Sequence, residues 1–493
     1  MIHLDGKSLT LAEVERVVFG GEAVAAAPEA LVGVSASAEL VEKIVSESRP
    51  VYGINTGFGK MSTQTIPKGK LKELQINLLR SHSAGVGEPL PDAAARAALL
   101  FRLNSLLMGR SGVRPILIEY LTRFLNEGVI PVIPSKGSVG SSGDLAPLAH
   151  MALLVIGEGE AKWNDLILTG AELLAKLDLK PLELAPKEGL ALINGTQIML
   201  AVGFMAWRKA HILMDNALMI ASMGLEAAGG HTAALDERLQ DCHPHPGHRE
   251  AAKRVRDWVH GSGLVNHSPD VQDAYSLRCI PQVLGSCIDS LDFVQDKIEI
   301  EMNSTTDNPL LFVETGEAIS GGNFHGEAMA LAFEQLCMAL SEMGNFSERR
   351  TALLLDRPDL PLFLVEEGGL NSGLMIVQYT AAALVSENKI LSHPAVVDSI
   401  PTSAGKEDHN SLGSISARKA YEIAKNVEYI LAIELLTASQ AISFRVTSMI
   451  SPRIKNVYDR LRAEIPPVTE DRVIHHDICR LRDLIASYDL ISD

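Results

Sequence analysis

The chain has 493 residues, 46% of them apolar and 21% charged, with a net charge of −17 from 44 basic and 61 acidic side chains. This is an ordinary globular composition with enough chain for a large core. An acidic balance without any dense Lys/Arg run argues against nucleic acid or an anionic membrane as partner. Five scattered cysteines, Cys242, Cys279, Cys287, Cys337 and Cys479, form no CxxC pair, the usage expected of a reduced, cytoplasmic protein without structural zinc.

The N-terminus lacks a charged-then-apolar signal pattern and is expected to begin directly with structure, Ile2-His3-Leu4 reading as a short strand. Thr10 and Glu13 have the spacing of a capping box. Ser37 is placed to cap a helix carrying Leu40, Val41, Ile44 and Val45, stopped by Pro50. Amphipathic helical patterns cover 92–109 and 113–127, the second preceded by Gly109-Arg110-Ser111-Gly112. The tracts 165–168 and 310–313 read as hairpin pieces. A long, nearly all-round apolar helix is predicted from Gln197 to about residue 228, and others over 270–302, 325–354, 373–392 and from Ile415 to about 445. Arg208, Lys209, His211 and Asp215 interrupt the longest apolar stretch, Ile198 to Leu225, which argues against a membrane span. Helices this apolar must bury one another in a bundle. The expected class is mainly α, divided into a loop-rich N-terminal segment 1–195 and a long-helix segment 196–493.

Between two of these elements residues 137–144 read GSVGSSGD. The stretch has neither the GxxxxGK[ST] of a phosphate loop, nor GxGxxG, nor the GxSxG of a nucleophile elbow. Asp144 after the last glycine would repel an anion. Taken by spacing alone, this is a turn entering a helix capped by Asp144, with Pro147 tolerated in the first turn. Gln272, Tyr275 and Arg278 are spaced by three and are expected on one side of a helix. The run from Cys242 to His248, CHPHPGH, offers metal-ligating side chains, but its prolines read better as a surface loop, and His475-His476 as solvated.

The stretch Ser142-Gly143-Asp144-Leu145-Ala146-Pro147-Leu148-Ala149-His150 resembles the signature of the aromatic amino acid ammonia-lyases and aminomutases. Further blocks resemble that family in the same order: Tyr52-Gly53-Ile54-Asn55-Thr56-Gly57-Phe58-Gly59, Asn194-Gly195-Thr196, Gln272-Asp273-Ala274-Tyr275-Ser276-Leu277-Arg278, Thr306-Asp307-Asn308-Pro309, Gly322-Asn323-Phe324-His325 and Glu407-Asp408-His409. The resemblance runs from near the first residue to at least residue 445. It implies a protein-derived electrophile, 4-methylidene-imidazol-5-one (MIO), made from Ser141-Ser142-Gly143, and no metal. The Gly143 nitrogen attacks the carbonyl carbon of residue 141, one water leaves on cyclisation and a second as Ser142 eliminates its hydroxyl. Residue 141 contributes only backbone, and here Ser141 stands where the family has Ala.

The resemblance also implies roles. Tyr52 is the β-proton base, which requires local positive potential to favour phenolate. Arg278 takes the substrate carboxylate bidentately, Tyr275 and Gln272 flank the cofactor, and Asn194 bonds the ring or the amine. Phe324 packs on the substrate side. His82, after Ser81, resembles the histidine-selective version of the specificity pair, and Glu407 the carboxylate that meets imidazole. Such a carboxylate would be an unpaired buried charge against a phenyl ring. Gly326 and Gly405-Lys406 depart from the usual wording of that version. The expected activity is deamination of L-histidine to trans-urocanate and ammonia. A tyrosine or phenylalanine lyase or a 2,3-aminomutase is the alternative within the chemistry, and a helical scaffold that lost the ring is the alternative outside it. The resemblance further implies a long-helix central bundle of the aspartase/fumarase kind, assembled as a homotetramer whose sites draw residues from several chains.

Overall fold

A cluster of Leu40, Val41, Ile44, Ile54 and Leu311 shows how distant parts of the chain meet in one core. The computed structural model describes residues 1–491, and its architecture is mainly helical, with strands only two to four residues long. The described residues form two compact units that interleave along the chain, where the sequence reading placed a single boundary at 195/196. One unit comprises Met1–Met205, Asp296–Phe333 and Pro394–Arg418. The other comprises Ala206–Gln295, Glu334–His393 and the described part of Lys419–Asp493. Several long helices therefore begin in one unit and end in the other, so chain order cannot serve as a guide to compactness.

In the first unit Ile2–Leu4 pairs in parallel with Val24–Ala26. The helix Leu11–Val18 starts with the predicted capping box, Thr10 accepting from the Glu13 N–H and Glu13 from the Thr10 N–H. The next helix corrects an expectation: it runs Pro28–Ser46 and does not start at Ser37. Proline at the first helical position costs no hydrogen bond and has its φ already set. Ser37 instead lies buried mid-helix and donates to the Val34 carbonyl at 2.9 Å. Helices Asp92–Leu107 and Pro115–Asn126 follow as expected. Ile130–Pro131, Glu160–Trp163 and Leu166–Thr169 form a small antiparallel sheet, and Leu310–Phe312 pairs with Glu317–Ile319.

The second unit is built from long helices. Glu327–Leu355 and Gly413–Ser443 contribute their later turns to it, and Met375–Leu391, Pro452–Glu464 and His475–Ala486 lie wholly within it. Arg350 and Glu434, both fully buried, pair through two hydrogen bonds of 2.5 and 2.8 Å. Gln440 ties its helix to two loops by donating to the carbonyls of Leu364 and Val468. The predicted helix over 270–302 is interrupted: Tyr275–Arg278 is a single turn, and the long helix is Ile280–Glu301. Pro281 has no N–H to bond back to Leu277, which breaks the ladder there. No helix among the described residues is long and apolar enough to cross a membrane.

Candidate active site

The GSVGSSGD stretch folds as a tight turn with left-handed backbone at Gly140, Ser142 and Gly143. Ser142 and Gly143 are consecutive left-handed residues, with φ of 51° and 77°. A non-glycine residue there stores backbone strain, which is retained where the surroundings over-determine it. Those surroundings are Gly195: the Asp144 N–H donates to its carbonyl at 2.7 Å, and its own N–H donates to the Ser142 carbonyl at 3.3 Å. A Cβ on Gly143 would lie 2.1 Å from the Gly195 oxygen, so no side chain fits. Gly140 is equally confined, since a Cβ there would meet the Ser411 hydroxyl at 2.1 Å.

Asp144 corrects a second expectation. It precedes the helix Leu145–Leu153 but makes no side-chain cap to it. Its carboxylate, fully buried, instead accepts from the Met199 N–H at 2.7 Å, from Ser138 at 3.1 Å and from Ser414. Burial pushes its pKa up, opposed by those hydrogen bonds. The carboxylate thus locks the turn to the start of the helix Gln197–Ala227.

Beneath Gly195 lies a buried ionic cradle. Arg102, fully buried, donates to the carbonyls of Ala191 and Asn194 at 3.1 and 3.0 Å. Burial draws its pKa down to about 10, with Asp307 and Asp144 opposing. Lys187 and Asp307, both buried, pair at 2.5 Å. Asp307 and the Asn308 carbonyl each accept from the Asn194 amide at 3.3 Å, which fixes that side chain. Sequence reasoning assigned no role to Arg102, Lys187 or Asp307. The available signal was the placement of such charges within otherwise buried segments, since a buried charge is retained only when paired.

Glu407 reaches the turn from the segment 402–407, whose ends bridge back on themselves with Thr402 N–H donating to the Glu407 carbonyl at 2.8 Å. Its carboxylate accepts from Ser141, from Ser142 at 3.5 Å and from the Thr402 hydroxyl at 3.0 Å. Ser141, expected to contribute backbone alone, therefore also holds Glu407 through its side chain. A Cβ on Gly59 would sit 2.6 Å from the Ser403 hydroxyl, so the Tyr52–Gly59 loop packs tightly on this segment. The Tyr52 ring makes an edge contact with Phe58, and its hydroxyl lies 3.5 Å from the Gly59 N–H. Burial, aided by the Glu407 charge, pushes the Tyr52 pKa up, against the pull of the Gly59 N–H. That is the reverse of the positive potential its expected role needs. His82 closes the helix Leu71–His82 with Ser81 at 3.0 Å from Nδ1. Burial lowers its pKa, while a Leu78 hydrogen bond and the Glu407 charge oppose. Phe324 lies half-buried in the turn before the helix Glu327–Leu355. In that turn a Cβ on Gly326 would meet the Met199 sulfur at 2.4 Å.

Tyr52, His82, Ser141, Ser142, Gly143, Asn194, Phe324 and Glu407 all belong to the first unit, where hydrogen bonds join Ser141 and Ser142 to Glu407. Gln272, Tyr275 and Arg278 belong to the second unit. There Arg278 donates to Gln272 at 2.7 Å and lies 4.7 Å over the Tyr275 ring, which is 69% exposed. Tyr275 and Arg278 share one helical turn as expected, but Gln272 precedes it.

A family model described as aromatic amino acid lyase matches residues 9–463. Histidine ammonia-lyase from Caldanaerobacter subterraneus is 49% identical over 99% of this chain and 96% of its own length. The Bacillus subtilis protein of that name is 47% identical over 100% and 98%. Among solved structures, histidine ammonia-lyase from Trypanosoma cruzi superposes with a TM-score of 0.92 at 42% identity, covering 99% of this chain and 94% of that one. Tyrosine aminomutase from Streptomyces globisporus superposes at 0.94 with 38% identity, covering 99% and 97%. The ordered motifs, the strained Ser142-Gly143 turn and likeness along nearly the whole length lead to one assignment: the chain belongs to the aromatic amino acid lyase family.

Proposed function

We propose that this chain is a histidine ammonia-lyase, converting L-histidine to trans-urocanate and ammonia, with Ser141-Ser142-Gly143 cyclised to MIO. The observation that carries the substrate choice is the Glu407 carboxylate against the turn, with His82 and Tyr52 both in its field. A carboxylate in that place matches the N–H of an imidazole and would be left without a partner by a phenyl or phenol ring. The tyrosine aminomutase shares the fold, so fold does not separate the two readings, whereas the Glu407 and His82 pair favours histidine.

The surroundings fit the cofactor: the backbone at 142–143 is already tightly turned and residue 143 has no room for a Cβ. Once formed, MIO supplies an electrophilic carbon for the substrate amine and so improves a poor leaving group. Tyr52 accepts the β-proton. Burial and Glu407 oppose its ionisation, and a cation brought beside it, the substrate ammonium or Arg278, would favour the phenolate. Asn194, held by Asp307, keeps its amide in one orientation beside the turn. Arg278 takes the substrate carboxylate as a planar fork, Tyr275 and Gln272 stand beside it, and Phe324 lines the ring side. We infer a cytoplasmic homotetramer acting on a small amino acid, in which each working site draws residues from more than one copy.

The test is direct. Purified protein is incubated with L-histidine, L-tyrosine and L-phenylalanine, and the conjugated product is followed by ultraviolet absorbance. Turnover is expected with histidine alone. Equal turnover of tyrosine, or full histidine activity in Glu407→Gln, would remove the basis for the assignment.

A further inference from the structure

Two residues beyond Glu407, the chain presents a second cluster to which the proposed reaction assigns no role. His325, Glu327 and His409, all in the first unit, offer ligand atoms that lie within 4.8 Å of one another. The imidazoles of His325 and His409 face each other with ring centroids 5.7 Å apart. His325 Nε2 lies 3.2 Å from the His409 carbonyl. In the tautomer that donates this bond, Nδ1 carries the lone pair. A ligating histidine is commonly oriented in this way, its other N–H held by a backbone carbonyl. Glu327 opens the helix Glu327–Leu355, and its Oε2 is buried with no hydrogen-bond partner. A buried carboxylate oxygen without a donor is costly, and the cluster's own hydrogen bonds leave this cost standing. The positive end of the helix works against a cation here, and the negative charge of Glu327 in its first turn opposes that effect.

We propose that His325, Glu327 and His409 form a binding site for a divalent transition-metal ion of the zinc class. Two imidazoles and one carboxylate suit zinc, cobalt or nickel, whereas magnesium and calcium require more oxygen ligands than this cluster provides. His409 is exposed, so an ion can enter from solvent and keep water in its open positions. Once bound, the ion joins the turn that carries Phe324 to the segment that carries Glu407.

The test reads binding and not turnover, so it stands apart from the assignment of activity. ZnCl2 is titrated calorimetrically into the chelator-treated full-length protein in a non-coordinating buffer, and Co2+ binding is followed by its visible absorption. A single ion per chain is expected at this site. His409→Ala and the isosteric Glu327→Gln should weaken it by about tenfold or more, with circular dichroism and thermal unfolding showing both variants folded. His245→Ala, in the separate surface cluster of His243, His245 and His248, should leave it unchanged. Wild-type affinity in both His409→Ala and Glu327→Gln, loss of binding only in His245→Ala, or no ion taken up at all would overturn the proposal.

Discussion

Gly143 has 2.1 Å between the place of a Cβ and the Gly195 oxygen, and a φ of 77°. Gly143→Ala is therefore obstructed twice, by contact and by backbone conformation. It should prevent ring closure, whereas Ser142→Ala removes the hydroxyl lost in the second dehydration and so should prevent formation of the methylidene. Intact mass checks both: Gly143→Ala should keep its full sequence mass and Ser142→Ala should lose one water at most, whereas the parent chain should be lighter by two waters, one from cyclisation and one from elimination. Tyr52 allows a signed prediction. Its phenol is held above its ordinary pKa by burial first, with the Glu407 charge adding to the effect. If the phenolate is the working base, kcat/KM rises as pH rises through that pKa. Glu407→Gln removes a raising influence, so the rising limb should move to lower pH in the residual activity of that variant. Tyr52→Phe should reduce kcat by about 10²–10⁴-fold without altering the mass loss that reports the cofactor.

At the scale of elements, what the sequence disclosed and what it hid have separate physical causes. Long apolar periodicity is a local signal, and the helices Gln197–Ala227, Glu327–Leu355, Met375–Leu391 and Gly413–Ser443 lie close to the expected spans. The Thr10 capping box was visible because its partners are three residues apart. Ser37 misled because a serine in a helix can satisfy its hydroxyl on a preceding carbonyl as readily as cap an end. The cradle of Arg102, Lys187 and Asp307 was hidden because its partners lie about a hundred residues apart. The turn residues were read through family likeness, since their glycine spacing alone fitted an ordinary helix entry. Packing between helices is equally non-local. Gly203 lies within Gln197–Ala227, and a Cβ there would fall 1.9 Å from the Phe333 ring. Gly203→Ala gains about 1 kcal/mol of helix propensity but overpacks a closed contact, at a cost of about 1–3 kcal/mol. The clash should prevail and lower the midpoint of thermal unfolding. Arg350→Met should lower it further, because Glu434 would remain charged and fully buried, a loss of about 3–5 kcal/mol. Replacing both partners by apolar residues should recover much of that loss.

For the whole molecule, the decisive feature is the distribution of the expected site residues between the units. Tyr52, the Ser141–Gly143 turn and Glu407 belong to one, and the exposed Tyr275 with Arg278 to the other. Burial and the Glu407 charge push the Tyr52 pKa up, against the Gly59 N–H, and a nearby cation would favour the phenolate. If sites form between copies in a closed assembly, Tyr52 and Arg278 of one working site come from different chains. This can be tested with two inactive proteins. Tyr52→Phe and Arg278→Ala are expressed together in equal amounts, so that copies mix at random during assembly. A site drawing Tyr52 from one chain and Arg278 from another is then intact in about a quarter of cases, since each partner is unaltered half the time. Histidine turnover should return to about that fraction of the unaltered protein, while the variants purified separately and mixed without exchange remain inactive. If both residues served within one chain, every chain would lack one of them and no activity would return. Recovery near a quarter would establish that the catalytic unit is the assembly, and absence of recovery from verified mixed oligomers would return the site to a single chain.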